Sequence, residues 1–199
     1  MLKKIFFAAA LLLASELIAK PVVIASIAPV EYLAKAVGGD KIEVQSLAKG
    51  DVHSYEPKPN DMKAVAKARI FIAAGLEFEE AWIPRFKASA KNLVVVKSDA
   101  KIAKLKEERG EQVGHDEKHE AHADPHVWLN PMLAITMARN ISDALIDMDK
   151  ANKDFYLENF QKLMNDLLAF DESAKESLSG LKNRKFVVYH PAWGYFAAH

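Results

Sequence analysis

Apolar residues in this chain come in short unbroken runs that alternate with amphipathic stretches. Val22 to Ser26 (VVIAS), Lys41 to Leu47, Arg69 to Ala73 (RIFIA) and Leu93 to Val96 (LVVV) have the length and β-branched content of strands. The first, third and fourth are continuous, as in strands buried on both faces, whereas the second alternates at Ile42, Val44 and, less cleanly, Ser46. Between them, PVEYLAKAVGG starts with Pro29 and stops at Gly38-Gly39, Asp61 is read as the cap of a helix running to Ala68, and Glu77 to Ala90 puts Trp82 and Phe86 on one helical face. Strand and helix in strict alternation predict an α/β fold: a parallel four-stranded sheet with helices on both sides.

After the fourth strand the pattern changes. Lys101 to Asp124 is charged, poor in large apolar residues and longer than a loop inside a compact domain usually is, which predicts a mobile surface segment. Asn130 and Pro131 then read as the N-cap and first residue of a helix with Met132, Ile135, Ala138, Ile141, Leu145 and Met148 on one face. Phe160, Leu163, Met164, Leu167, Phe170, Ala174, Leu178 and Leu181 recur at helical spacing from about Asn152 to Leu181, a rod of roughly 45 Å at 1.5 Å per residue. That exceeds the needs of one small lobe and suits a spine between two. Gly180 and Asn183 end it, and Lys185 to Tyr189 (KFVVY) reads as a fifth strand running into His190-Pro191-Ala192-Trp193-Gly194. One β-unit cannot bury its own apolar face. Either these last residues pack on the first lobe or the chain is a C-terminally truncated form of a two-lobed protein; the second reading is adopted. The expected organisation is an export signal over 1–19, a first lobe over 20–148, a linker helix over 149–183 and the start of a second α/β lobe over 184–199.

Composition narrows the class. In 199 residues, 50% are hydrophobic and 27% charged, a globular balance, and 27 basic against 27 acidic residues offer no footprint for nucleic acid or an anionic membrane. Lys3 and Lys4 precede an apolar run from Ile5 to Ala14, shorter than the roughly 20 residues that span a bilayer, and a cleavage site after Ala19 fits except that Leu17 is large for its position. With no cysteine there is neither a residue to carry a lipid nor a thiolate to bind metal. The reading is a soluble periplasmic protein without a lipid anchor, and any metal site is built from His, Asp and Glu.

Four of the seven histidines fall in His115 to Pro131, HDEKHEAHADPHVWLNP. His115, His119, His122 and His126 stand at i, i+4, i+7 and i+11, so a helical turn would align them; weak metal capture there is weighed against a solvated charged loop. His53, His126 and His190 share a different property. Each lies where a strand or its following loop hands over to a helix, the carboxyl edge at which α/β proteins gather ligands, and they are too far apart in sequence for a local finger. Three neutral imidazoles would bind Zn²⁺ at about 2.0–2.1 Å and leave one tetrahedral position for water or a carboxylate. Asp124, Glu56 and backbone carbonyls are the nearby acceptors for their second nitrogens. On the residues alone, a metal site and three solvated loop histidines stand as open alternatives.

GDVHSYEPKPNDM, DPHVWLNP and VVYHPAWGYFA resemble, in order and spacing, the three metal-site motifs of the cluster A-I solute-binding proteins of ABC importers, most of all the ZnuA-type zinc-uptake proteins. The resemblance runs from the export signal to the end of the chain. It implies two α/β lobes joined by a long helix, metal held between them by His53, His126 and His190, and an acidic histidine-rich loop before the second ligand. It further implies a monomer that delivers Zn²⁺ to the membrane permease of an importer, with Mn²⁺ the less favoured cargo because imidazole-rich ligation suits zinc. Two departures stand out: Val52 occupies a position where ZnuA-type proteins often have a carboxylate, and the family's later acidic ligand would lie beyond residue 199. The competing readings are a three-histidine zinc hydrolase and a metal-dependent adhesin of the same fold. Against the hydrolase, HEAHA at His119 lacks the second histidine of HExxH because residue 123 is Ala, and neither a G-x-S-x-G elbow nor a glycine-rich phosphate loop is present. Trp128 and Trp193 are read as packing beside the site and His199 as structural or terminal.

Overall fold

The structure is a computed structural model that describes residues 19–50, 52, 54–106 and 123–199. Residues 1–18 of the expected export signal, His53, His115, His119, His122 and most of the 101–124 segment lie outside the described residues. Four parallel strands, β1 (Val22–Ile27), β2 (Glu43–Ala48), β3 (Ile70–Ala73) and β4 (Val94–Lys97), form one sheet in the order β2-β1-β3-β4. Helices α1 (Ala28–Gly38), α2 (Pro59–Val65) and α3 (Glu77–Ser89) are the crossovers, as the alternating pattern requires. The four predicted strands and three predicted helices are present, with ends shifted by a few residues at most.

Alternate residues of each central strand feed two cores, because successive side chains point to opposite faces. Val23, Ala25, Ile27, Ile70 and Ile72 pack under α1 together with Met137, Ala138, Ile141 and Leu145 of α4 (Pro131–Met148) and Tyr156, Phe160 and Leu163 of α5 (Lys153–Ser179). Ile24, Phe71 and Ala73 pack on the other face against Val65 and Phe86. Both faces of β1 and β3 are therefore covered, which explains their unbroken apolar sequences.

The connections at the carboxyl edge are fastened by side chains. At the β3–α3 turn Gly75 has φ +90°, and a Cβ there would collide with Asp99 and Lys104. The Glu79 carboxylate accepts from the amides of Ala74, Gly75 and Leu76 at 2.8, 2.8 and 3.0 Å. After β4, Asn140 donates to the carbonyls of Ser98 (2.8 Å) and Ala100 (3.0 Å), and Lys104 pairs with Asp99 at 2.6 Å. The chain thus leaves the sheet along a fixed path as far as Lys106.

Four expectations need correction. Asp61 is not the N-cap of α2: that helix begins at Pro59, and Asp61 sits in its first turn, reaching back to accept from the Lys58 amide at 2.8 Å. The buried stripe of α4 runs through Ala134, Met137, Ala138, Ile141 and Leu145, while Met132 is exposed, so the face is rotated from the predicted one at its N-terminal end. In α5 only Tyr156, Phe160, Leu163 and Asp171 are buried; Phe170 and Leu178 of the predicted stripe are exposed, as is Leu181 just past the helix. Finally, Lys185 to Tyr189 forms no strand, with Val187 and Tyr189 fully exposed. A strand exists only by pairing, and neither sheet edge, β2 or β4, meets this segment.

The chain after α5 does return to the first lobe. The one-turn helix α6 (Gly194–Ala197) places Tyr195 in the core beside Val127, and Ala192 is buried.

Candidate metal site

The site begins with Asp124-Pro125-His126. Asp124 and His126 are each 4% exposed, and the carboxylate accepts twice on one oxygen, from the His126 amide at 2.9 Å and from its Nδ1 at 2.7 Å. A carboxylate can only accept, so Nδ1 carries the proton and the lone pair of the neutral ring sits on Nε2. The Val127 amide folds back to the Pro125 carbonyl at 2.8 Å, opening the short 3-10 turn Val127–Leu129, and Trp128 packs edge-on against the imidazole with centroids 5.2 Å apart. Asn130 then caps α4 by accepting from the amides of Met132 (2.9 Å) and Leu133 (3.2 Å).

His190 approaches from the segment after α5. Its Nε2 lies 3.2 Å from Nε2 of His126, with the rings nearly perpendicular at 77°. Two Zn–N bonds of about 2.0–2.1 Å at a tetrahedral angle would set the nitrogens roughly 3.3–3.4 Å apart. The observed spacing is close to that, and the Asp124 bond turns the His126 lone pair toward His190. Without metal, the His190 Nε2–H tautomer can donate to the His126 Nε2 lone pair across this distance; with His190 in the other tautomer, both lone pairs can turn to one shared cation.

Of the three candidate ligands, His126 and His190 are brought together. Among the described residues no cluster of three or more His, Cys, Asp or Glu forms a complete metal cage. His53, the third candidate, lies outside the described residues. Of the two acceptors named from sequence, Asp124 bonds to a candidate histidine, and Glu56 is exposed. Next to Glu56, the Tyr55 hydroxyl donates to Asp61 at 2.9 Å. His199 pairs with Asp171 at 2.5 Å, in line with its structural reading, and Trp193 packs edge-on against Phe196 at 5.7 Å, on the segment that carries His190.

Tyr195 lies in the VVYHPAWGYFA stretch but was assigned no role from sequence, yet it joins the site's two halves. Its hydroxyl accepts from the Leu105 amide at 2.9 Å and donates to the Asp124 carbonyl at 2.8 Å. Gly194 lies so near that a Cβ would stand 3.1 Å from the second Asp124 oxygen.

A parallel sheet covered by helices on both faces, with two histidines brought together on the chain that follows it, defines an α/β lobe with a candidate ligand site. The chain belongs to the family described as zinc-uptake complex component A periplasmic (ZnuA), which it matches over residues 23–199. It is 34% identical over 171 residues to a putative metal-binding protein of Treponema pallidum, covering 82% of this chain and 54% of that protein. It is 30% identical to the high-affinity zinc uptake system protein ZnuA of Bacillus subtilis, covering 88% of this chain and 57% of the relative. Against the zinc-binding lipoprotein AdcA of Streptococcus pneumoniae the figures are 31%, 85% and 35%. The chain therefore spans little more than half the length of these relatives, or less. Among solved structures, ZnuA and a zinc-bound ZnuA deletion mutant each superpose with a TM-score of 0.80 at 32% identity, over 90% of this chain and about two thirds of theirs. No helix among the described residues is long and apolar enough to cross a membrane.

Proposed function

We propose that the protein is a periplasmic zinc-binding receptor that captures Zn²⁺ through His53, His126 and His190 and delivers it, as a monomer, to the membrane permease of an ABC-type importer. The observation that carries this reading is the convergence of His126 and His190 at a Zn-like nitrogen spacing, with the His126 tautomer set by Asp124. Family membership and the named zinc-uptake relatives support zinc as cargo. A manganese ABC transporter substrate-binding lipoprotein of Streptococcus gordonii is also 30% identical, so Mn²⁺ is the competing ion; a site built on imidazoles favours Zn²⁺.

The chain is read as a receptor and not an enzyme, since the named relatives are metal-binding or metal-transport proteins. Export by residues 1–19, a first lobe over 20–148 and a linker helix over 149–183 belong to the same proposal. So do Glu56 as a supporting acceptor and His115, His119 and His122 as accessory metal-capture residues.

Competition titration with a chromophoric zinc chelator tests the ligand set. Replacing His53, His126 or His190 singly by Ala should each lower zinc affinity at least tenfold. Deleting residues 107–122, which spares the Lys106–Ala123 bridge, should cost less than any of them; a larger loss from the deletion would mean that the histidine-rich segment, and not this trio, is the site.

A further inference from the structure

The segment between Leu105 and Asp124 leaves and re-enters the lobe through a two-stranded neck. Lys106 and Ala123 form an antiparallel bridge, and the Asp124 amide donates to the Leu105 carbonyl at 2.8 Å. In a regular antiparallel ladder the same two residues would also exchange the reverse bond, Leu105 N–H to Asp124 C=O. Here that bond is replaced. The Tyr195 hydroxyl sits between the two groups, accepting from Leu105 at 2.9 Å and donating to Asp124 at 2.8 Å, and the ring behind it is 3% exposed. The Asn130 side chain, at the start of α4, donates to the Tyr195 carbonyl at 3.4 Å, and Gly194 allows α6 to lie against the Asp124 carboxylate.

We infer that Tyr195 is a positioning residue for metal binding: its hydroxyl completes the neck and fixes Asp124, hence the orientation of His126, relative to the segment that carries His190. This rests on the metal-site reading above and adds to it the part that sets the geometry between the two histidines. They come from segments 64 residues apart, and their rings meet at the 3.2 Å contact. Tyr195 supplies a second, metal-independent tie between the same segments, only five residues after His190. Losing the hydroxyl would take this partner from the Leu105 amide and the buried Asp124 carbonyl, or force the neck to close over the space the oxygen fills, and either change turns Asp124.

The test uses the full chain with Tyr195→Phe, which keeps the ring, and Gly194→Ala, which keeps the hydroxyl and presses on the Asp124 carboxylate. Imidazole ¹H–¹⁵N correlations of the metal-free protein, with His126 assigned through His126→Ala, should shift at His126 in both variants. Zinc affinity of Tyr195→Phe should fall by about 10–100-fold, the usual loss when a partner that orients a ligand is removed. The d–d absorption of the Co²⁺-loaded protein should shift as well, a change that mere loss of stability would not produce. His126 resonances unmoved in both variants would overturn the inference. So would moved resonances accompanied by parental zinc affinity and an unchanged cobalt spectrum. If His126→Ala binds zinc as the parent does, the metal-site reading fails, while the resonances still decide whether Tyr195 holds His126. Should Tyr195→Phe fail to fold, Gly194→Ala alone carries the test on the same readouts.

Discussion

A carboxylate two positions before a histidine reaches that ring only if the backbone doubles back, and Pro125, with its fixed φ, helps Asp124 do so. Asp124 then holds both the amide and Nδ1 of His126 on one oxygen, making Asp-Pro-His a local orienting unit. Such partners fix tautomer and aim, so Asp124→Ala should lower zinc affinity by about 10–100-fold. Asp124→Asn should lose less, because its carbonyl oxygen can accept the same two donors. A chelator competition in which the Ala variant matches the parent would show that aim is not what Asp124 contributes. This unit was legible in the sequence because donor and acceptor are two residues apart. Tyr195 was not, since its hydroxyl partners lie 90 and 71 residues away and no periodicity marks a tyrosine whose value is a single oxygen.

At the scale of elements, two helices open with the same device. An acid in the first turn of the helix reaches back to the amide just before it, Asp61 to Lys58 at 2.8 Å and Glu79 to Leu76 at 3.0 Å. Sequence reading placed Asp61 at the cap itself because aspartate is common there, but Pro59 fits the first helical position and moves Asp61 inward. Glu79 does more than its counterpart. It is 2% exposed and also takes the amides of Ala74 and Gly75, closing the β3–α3 turn. Burial pushes its carboxyl above the ordinary range, with the amide donors pulling the other way. Glu79→Gln would aim an NH₂ at donors that need an acceptor. It should cost about 1–3 kcal/mol, read as a lower urea midpoint with unchanged slope; a midpoint equal to the parent's would show that the turn closes without the charge. The KFVVY segment teaches the opposite lesson about elements. Its composition is that of a strand, yet composition cannot supply a partner strand, and among the described residues it pairs with none.

For the whole molecule, the parallel sheet followed from alternation alone, because each crossover has only one favourable hand and each strand covered on both faces betrays itself as an unbroken apolar run. How far the lobe covers α5 was not legible: a helical stripe says which face is apolar, not what lies against it. The first half of the stripe is buried on α4 and α1, and the second half is open. Where α5 joins the lobe, the Tyr156 hydroxyl donates to Asp149 at 3.0 Å beneath a ring with no exposed surface. Burial first, and then that bond to a carboxylate, push the phenol well above its ordinary value of 10. A raised folded-state value means the native protein holds the proton more tightly than the unfolded chain. The resulting contribution is complete below about pH 10, where the unfolded phenol would ionise, and is lost as pH rises through the folded value. Stability should therefore carry a tyrosine-dependent alkaline limb beginning near that pH. Tyr156→Phe, which cannot ionise, should lose some stability at neutral pH and show a shallower fall above pH 10, both measured by urea unfolding across the range. Parallel limbs in parent and variant would mean that Tyr156 ionises no differently in the folded chain, and that the junction between α5 and the lobe does not depend on its proton.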